Sequence, residues 1–134
     1  MPGNAPLWQI TTHPEPELIF AVVSPVGTDL ESFQGLLRDL VGQFNYQLTP
    51  IRLSELAQLV HTEKVGIPLD VSTPFHRIDS LMTAGNTLRQ LAGRSDVLAL
   101  HAISKIRLAR DTGEDGNSQP LPRTIHFLRS LKHP

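Results

Sequence analysis

The sequence predicts an α/β domain in which a mostly parallel sheet carries helices on both faces. The first observation is the apolar run 18-LIFAVV-23, whose unbroken hydrophobicity is typical of a strand covered on both sides. The second is the alternation of strand-like and helix-like segments, which favours parallel pairing through helical crossovers. The third is the length of 134 residues, which suits one ordinary domain. Together they predict a single three-layer domain.

The chain begins with a segment that we expect to lie outside the domain core. Residues 1–16 contain four prolines and little hydrophobic periodicity, so they predict an extended arm with Trp8 as its only large anchor. The domain is expected to cover residues 17–134 and to be truncated at its carboxyl-terminal end. Its first strand, residues 17–24, should be central in the sheet. An exposed edge position would remove the argument for a ligand pocket beside it.

The next segments predict a helix, a second strand and a shorter helix. Thr28 or Asp29 can cap the first helix, and Glu31 suits its positive amino-terminal end. Apolar residues then recur every three or four positions, which is the helical period. A strand is predicted over residues 46–53, and Ser54 is placed to cap the short helix that follows.

The second half of the chain predicts two more helices and a final strand. An apolar stripe predicts a helix over residues 77–91, and Gly93 suits its end. Residues 96–110 predict the next helix, although the pattern 96-DVLALHAI-103 would also fit a strand. A polar, proline-ended loop over residues 111–122 precedes a strand over residues 124–131.

The composition excludes several classes of protein. The chain has no cysteine, which excludes disulfides, thiolate metal sites and thiol catalysis and is compatible with a cytoplasmic location. No window approaches the roughly 18 apolar residues of a membrane span, and the start does not resemble a secretory signal. Residues 1–76 are acidic and residues 77–134 basic, but neither a strong basic stripe nor interleaved aromatics predict nucleic-acid binding. Six scattered histidines show no ligand spacing, so no metal site is predicted.

The stretch 24-SPVGTDLE-31 joins the first strand to the first helix, where nucleotide-binding proteins place a phosphate loop. The common pattern G-x-x-x-x-G-K-[ST] supplies glycines for close backbone approach, a lysine for phosphate charge and a hydroxyl for Mg²⁺. Aligned from Ser24, its second glycine falls on Asp29, its lysine on Leu30 and its hydroxyl on Glu31.

These replacements argue against phosphoryl transfer from ATP at this loop. An acid about 4 Å from a phosphate costs about 4 kcal/mol at an effective dielectric constant of about 20, whereas a helix amino terminus returns about 0.3–1 kcal/mol. A degraded loop that still binds a nucleotide and a purely structural turn both stay open. Replacing Gly27 by Val should impair ligand binding more than folding if the loop is a working site.

Four arginines are candidates for a phosphate clamp. Arg107 and Arg110 share nearly one helical face beside the polar loop, and Arg123 and Arg129 flank the last strand. The alternative is that they are solvated arginines favoured by a helix carboxyl terminus. No nucleophile–base pair or carboxylate pair is present in the pattern, so no catalytic residue is predicted.

Three segments carry a resemblance to a known family: 17-ELIFAVVSPVGTDLESF-33, 78-IDSLMTAGNTLRQLAGRSDVLALHAISKIR-107 and 123-RTIHFLRSLKHP-134. Together they resemble the amino-terminal P-loop-kinase-like domain of bacterial anti-phage deoxycytidylate deaminase proteins. The AGN–LR helix and the RSLKHP ending are the more specific parts. In that family this domain leads to a zinc-dependent deaminase domain, so the resemblance implies a degenerate P-loop NTPase or nucleotide-kinase-like fold.

The resemblance also implies a set of nucleotide-facing residues. The loop would comprise Ser24, Pro25, Val26, Gly27, Thr28 and Asp29. The helix beside the pocket would contribute Gly85, Asn86 and Arg89, with Arg107 and Arg110 as further candidates. The end of the last strand would contribute Arg129, Ser130 and Lys132. Ser24 stands where the family pattern has the leading glycine of the loop.

The function implied is that of a nucleotide-binding, regulatory domain without catalysis, related to antiviral defence. Its ligand would be a nucleotide, such as a nucleoside triphosphate with Mg²⁺, and its partner a deaminase domain or protein. The polar loop 111–122 could close over the ligand. The deaminase motifs H-x-E and P-C-x-x-C cannot be complete without cysteine. The alternatives are a small nucleotide- or nucleoside-kinase-like enzyme with an atypical loop, using Arg107, Arg110 or Lys132, and a pure protein-interaction module.

Overall fold

The computed structural model describes residues 15–66, 68–110 and 116–132, and the predicted arm lies outside them up to residue 14, Trp8 included. Three strands and four helices occur in these residues. In chain order they are β1 (Leu18–Ser24), α1 (Leu30–Gly42), β2 (Gln47–Arg52), α2 (Leu53–Val60), α3 (Pro74–Ala92), α4 (Val97–Ala109) and β3 (Thr124–Lys132). A π-helical turn, His61–Val65, continues α2. The type and order of all seven predicted elements are confirmed. The segment that would also have fitted a strand is helical from Val97 onward.

The sheet is parallel, as predicted, but small and open, with the strand order β1-β3-β2. The prediction that the first strand is central is wrong, because β3 is central and β1 pairs with β3 alone among the described residues. The argument for a ligand pocket that rested on a central first strand falls with it. The hydrophobic run of β1 indicated burial on both faces, yet Ile19 and Val23 are exposed. An apolar run shows that a strand can be covered; it does not show which neighbours cover it.

Helices cover both faces of the sheet. On one face, Val41 of α1 packs with Leu48 of β2 and with Ile125 and Phe127 of β3. On the other face, Leu53 of α2 and Ala102 and Ile106 of α4 pack with Ile51 of β2 and Leu128 of β3. Because side chains alternate along a strand, Phe127 and Leu128 point to opposite faces and belong to different clusters. The core therefore has two layers that meet at β3.

Local signals set the ends of the helices. Asp29 caps α1, since its Oδ1 accepts a hydrogen bond from the Ser32 backbone N–H at 3.0 Å. The helix expected from residue 77 begins three residues earlier, at Pro74, because Thr73 caps it and proline suits the first helical position. Gly93 adopts the left-handed conformation that ends α3 (φ 63°).

Candidate anion-binding site at the carboxyl ends of the strands

The loop after β1 is a capped turn in this structure. Gly27 has φ of 92°, a conformation that glycine adopts readily, and the Thr28 hydroxyl donates to the Pro25 carbonyl at 2.9 Å. The Ser32 hydroxyl and backbone N–H both donate to Asp29, and these bonds lower the pKa of that carboxyl. Residues 25–29 are exposed, whereas Ser24 is buried. The last residue of β1 thus contributes one buried hydroxyl at the carboxyl end of that strand.

A buried arginine lies beside this loop. Arg129, at 8% exposure, projects from β3 toward α1, where its Nη1 donates to Gln34 at 2.8 Å and its Nη2 to Glu31 at 2.7 Å. Arg52, at the end of β2, pairs directly with Arg129 in the sheet register and donates to the same oxygen of Glu31 at 3.0 Å. We call Ser24, Arg52 and Arg129, with Glu31 and Gln34, the Arg129 cluster.

The three parallel strands explain why the cluster forms. Leu18 and Val22 of β1 and Leu48 of β2 pack in the cluster formed with α1, and side chains two residues apart point to the same face. Ser24 and Arg52 therefore face α1 as well. All three strands end at the same side of the sheet, which is where open α/β sheets bind their ligands.

Two buried polar atoms of the cluster lack a partner among the described residues: Oγ of Ser24 and Nε of Arg129. An unpaired buried donor costs about 1–3 kcal/mol. In a guanidinium, Nε and Nη2 form a fork that can hold two oxygens of a carboxylate or phosphate. Glu31 accepts from Nη2 of that fork, whereas Nε has no acceptor in the described residues. An oxyanion with two oxygens could accept from both nitrogens and so supply the missing hydrogen bond.

Glu31 is the counter-ion of both arginines. Its hydrogen bond from Arg129 and the charge of both guanidiniums lower the pKa of the carboxyl, so it stays charged at neutral pH. The side chain of Glu31 is 63% exposed although that of Arg129 is buried. An exposed carboxylate thus neutralises a buried cation.

The cluster does not supply a magnesium site. Asp29 is occupied by the cap of α1, and Glu31 by two arginines. Among residues 15–66, 68–110 and 116–132, no three His, Asp or Glu side chains are grouped to hold a metal ion. Mg²⁺ would have to arrive with the phosphates of a ligand rather than on ligands of this chain.

Comparison with protein families, curated proteins and solved structures finds no match to this chain. The resemblance to the P-loop-kinase-like domain of anti-phage deaminase proteins therefore stays a prediction. Within the described part of the chain, no helix is long and apolar enough to span a membrane.

The candidate residues on α3, Asn86 and Arg89, make no hydrogen bond to the Arg129 cluster among the described residues. Arg89 donates to the Asn86 side chain at 3.1 Å and to the Ser95 carbonyl at 3.3 Å, while α3 packs against α2 and α4. Gly85 is buried, and the nearest atom to a side chain placed there is Nη1 of Arg89, at 3.6 Å. In the described residues, Asn86 and Arg89 make no hydrogen bond to residues 24–29. Their hydrogen bonds join the end of α3 to the turn before α4.

A clamp of all four candidate arginines is contradicted, because its members lie at opposite ends of the strands. Arg110 binds Glu17, just before β1, and Arg123 binds Glu15, so both lie at the amino ends of the strands. Arg107, in the last turn of α4, lies near that same end. Arg129 lies six residues along β3 from Arg123, about 20 Å away at about 3.3 Å per residue. Of the four, only Arg129 binds α1, the helix that follows the loop, within the described residues.

The position of α4 and of the start of β3 also tests the predicted lid and the kinase-like role of Arg107 or Arg110. Helix α4 ends and β3 begins at the amino ends of the strands, so a lid over residues 24–29 is not supported. Residues 111–115 of the predicted lid lie outside the described residues. A kinase-like role for Arg107 or Arg110 at this loop is likewise not supported. The backbone of Lys132 pairs with Ser24, so that residue position is at the correct end.

Sequence reasoning missed Arg52 and Gln34. It considered Glu31 as a favourable charge at the start of the first helix and as an acid that would repel phosphate. Arg52 had a usable signal, since it ends the second parallel strand at the ligand-binding side of the sheet. Gln34 had none, because its contact with Arg129 spans 95 positions in sequence. A shallow groove elsewhere, beside α2, is lined by Glu55, Gln58, Leu59, Thr62 and Glu63 and does not involve the cluster.

Proposed function

We propose that this chain is a nucleotide-binding, regulatory domain without catalysis, which takes a phosphate group of its ligand at the Arg129 cluster. The observation that carries the proposal is the buried guanidinium of Arg129, whose Nε has no partner in the described residues. It binds Glu31 in the first turn of α1. The hydroxyl of Ser24, which also has no partner in the described residues, lies at the carboxyl end of the neighbouring strand β1. Arginine, helix amino terminus and hydroxyl are the groups that proteins use for phosphate.

The contacts of Glu31 support the binding of an anionic ligand at this cluster. Its carboxylate is held by Arg52 and Arg129, so an internal anion sits at this position in the free chain. A phosphate that displaced Glu31 would use both Nε and Nη2 of Arg129. Because Glu31 is exposed, it can turn into solvent without disturbing the core. Ligand binding would then be an exchange of one anion for another.

Regulation rather than catalysis is the expected use of such a site. The sequence pattern shows no nucleophile–base pair, and the Arg129 cluster holds no set of ligands for magnesium. The resemblance to anti-phage deaminase proteins supplies the proposed partner, a deaminase domain or protein that responds to the bound nucleotide. Antiviral defence and a cytoplasmic location belong to the same proposal.

The test is the thermal stability of the purified chain with ATP, GTP, dCTP, dCMP or dTTP, each with and without Mg²⁺. A nucleotide present at about 100 times its dissociation constant should stabilise the fold by about 2.7 kcal/mol. Arg129→Gln should abolish that shift, because it removes the fork. Arg89→Gln is the matched control, since Arg89 lies outside the cluster, and it should keep the shift. Absence of a shift with every nucleotide, or an unchanged shift in Arg129→Gln, would overturn the proposal.

A protein-interaction module is the second candidate, and the exposed apolar surface favours it. Val23 of β1 and Leu36 and Phe44 of α1 are each more than half exposed. Large contiguous apolar patches on a soluble chain mark interaction sites. Stable association with a deaminase-type protein, together with failure of every nucleotide to bind, would favour this function over the first.

A further inference from the structure

We propose that β1 and one flank of α1 form a self-association surface, through which two copies of this chain pair β1 to β1. The strands would run antiparallel about a two-fold axis at Ala21 and join the two sheets into one. We call Leu18–Ser24, with the flank of α1 defined below, the β1 edge surface. This proposal concerns a different surface from the nucleotide site and does not depend on nucleotide binding.

One side of the β1 backbone has no strand paired to it among the described residues, and β3 pairs with the other side. Between Ala21 and Val23 the register shifts from Leu128 to Leu131, so the extra residue belongs to β3 and β1 stays regular. Edge strands are usually protected by lysine, proline or a bulge. The stretch 18-LIFAVVS-24 has neither a charge nor a proline.

The face of β1 that points away from α1 is self-complementary. It carries Ile19, Ala21 and Val23, with Ile19 exposed at 55% and Val23 at 64%. In an antiparallel pair, directly opposite residues point to the same face. An axis at Ala21 places Ile19 of each copy opposite Val23 of the other. Each exposed β-branched side chain then gains a β-branched partner, which is a favourable cross-strand pair.

The flank of α1 extends the surface on the other face. Glu31 points toward β2, because it binds Arg52. Successive residues rotate by about 100° around a helix, so the opposite flank, on the β1 side, carries apolar residues spaced by three or four. These are Phe33, Leu36, Leu40 and Phe44, all exposed. A two-fold axis perpendicular to the sheet keeps both copies of α1 on one face and turns these flanks toward each other.

These features favour a second copy over a different partner. The strand carries no charge that a partner would have to neutralise. In one register, the exposed Ile19 of each copy lies opposite the exposed Val23 of the other copy. A two-fold contact of this kind uses the same patch on both copies and closes after two chains. It also covers the edge that would otherwise recruit further strands.

The first experiment is sedimentation equilibrium of the full chain and two variants. The wild type should have twice the 14.8 kDa mass of one chain. Val23→Lys places a charge in the pair and should weaken dimerisation at least tenfold, with the circular dichroism of the fold retained. Leu108→Lys is the matched control, because Leu108 is a more exposed apolar residue on α4, and it should stay dimeric.

The second experiment tests the register through cysteine cross-linking, for which the chain has a clean background because it contains no cysteine. Ala21→Cys places one cysteine of each copy beside the axis. Their Cα atoms would be about 4.5–5.5 Å apart, which is within the range of a disulfide. This variant should form a covalent dimer on mild oxidation. Val23→Cys should not, because its two copies would lie about 13 Å apart along the strands.

Four different results would contradict the pairing of β1 with β1. A monomeric wild type that cross-links at neither position would overturn the proposal. So would a polydisperse aggregate, which would mean open strand addition rather than a two-fold contact. A monomer that dimerises only after removal of residues 2–14 would assign the edge to that segment instead. Equal weakening by Leu108→Lys would place the contact elsewhere.

Discussion

At the residue scale, Glu31 decides how readily the Arg129 cluster accepts a ligand. Its carboxylate binds Arg52 and Arg129 and competes with any incoming phosphate for them. We expect Glu31→Gln to bind tripolyphosphate or the preferred nucleotide about tenfold more tightly, because the competing charge is gone. Isothermal titration calorimetry of both proteins measures the ratio. Glu55→Gln, which removes an exposed ion pair with Lys105, should leave the affinity unchanged. Weaker binding in Glu31→Gln would show that Glu31 helps to hold the ligand.

A second residue-scale effect lies at the amino ends of the strands. The side chain of Glu17, 5% exposed, receives hydrogen bonds from Arg110 and from the buried His126. Burial by itself would raise the pKa of Glu17, but the bonds from Arg110 and His126 outweigh it and lower the pKa below 4.5. Glu17 is therefore charged in the folded chain at neutral pH and stabilises it.

We expect Glu17→Gln to lower the free energy of unfolding at neutral pH by about 1–3 kcal/mol, since Arg110 loses its partner. Because the folded pKa is lowered, the contribution of Glu17 is complete above the unfolded value of 4.5 and is lost as the pH falls through the folded one. The difference between the two proteins should thus shrink on acidification. Urea unfolding at neutral and acidic pH measures it, and a constant difference would contradict this origin.

At the element scale, the turn between β1 and α1 depends on one backbone conformation. No atom lies within 4 Å of a side chain built at Gly27, so space does not limit substitution there, but φ of 92° does. We expect Gly27→Val to lower the free energy of unfolding by about 1–2 kcal/mol through backbone strain. Its effect on nucleotide affinity should be larger, since the turn sets the position of Ser24. Urea unfolding and calorimetry measure the two quantities.

The matched control is Gly35, which lies inside α1 and also has open space around it. Gly35→Ala should raise the free energy of unfolding by about 0.5–1 kcal/mol, because alanine favours the helix. If Gly27→Val left both stability and affinity unchanged, the turn would not constrain the site. Equal losses of stability and affinity would mean that the turn serves the fold alone.

At the scale of the whole molecule, β3 connects the two layers of the core. Phe127 is fully buried at the centre of the sheet. We expect Phe127→Ala to cost about 3–5 kcal/mol, which is a large part of the stability of an ordinary domain. Urea unfolding measures the loss. Phe75→Ala, at a site 72% exposed, should change stability by about 0.5 kcal/mol or less. Similar effects of the two substitutions would contradict β3 as the centre of the fold.

Much of the fold and part of the site could be predicted from the sequence. Hydrophobic periods, the Asp29 cap and the glycine turn depend on residues close in sequence, so they predicted the elements, their order and a parallel sheet. Ser24 and Arg129 were predicted as site residues, and the structure places both at the same end of the sheet. Arg107, Arg110 and Arg123 were predicted with them and lie at the opposite end.

The sequence by itself determined which segments are strands and helices and where the turns between them fall, because these follow from contacts within a few residues. Only the tertiary structure decided that β3 lies between β1 and β2, that Arg129 meets Glu31 and that Arg110 meets Glu17. Those contacts span more than 90 positions, and their partners depend on which strands pair. An edge strand and a central strand can have the same apolar sequence, since the difference between them lies in their neighbours.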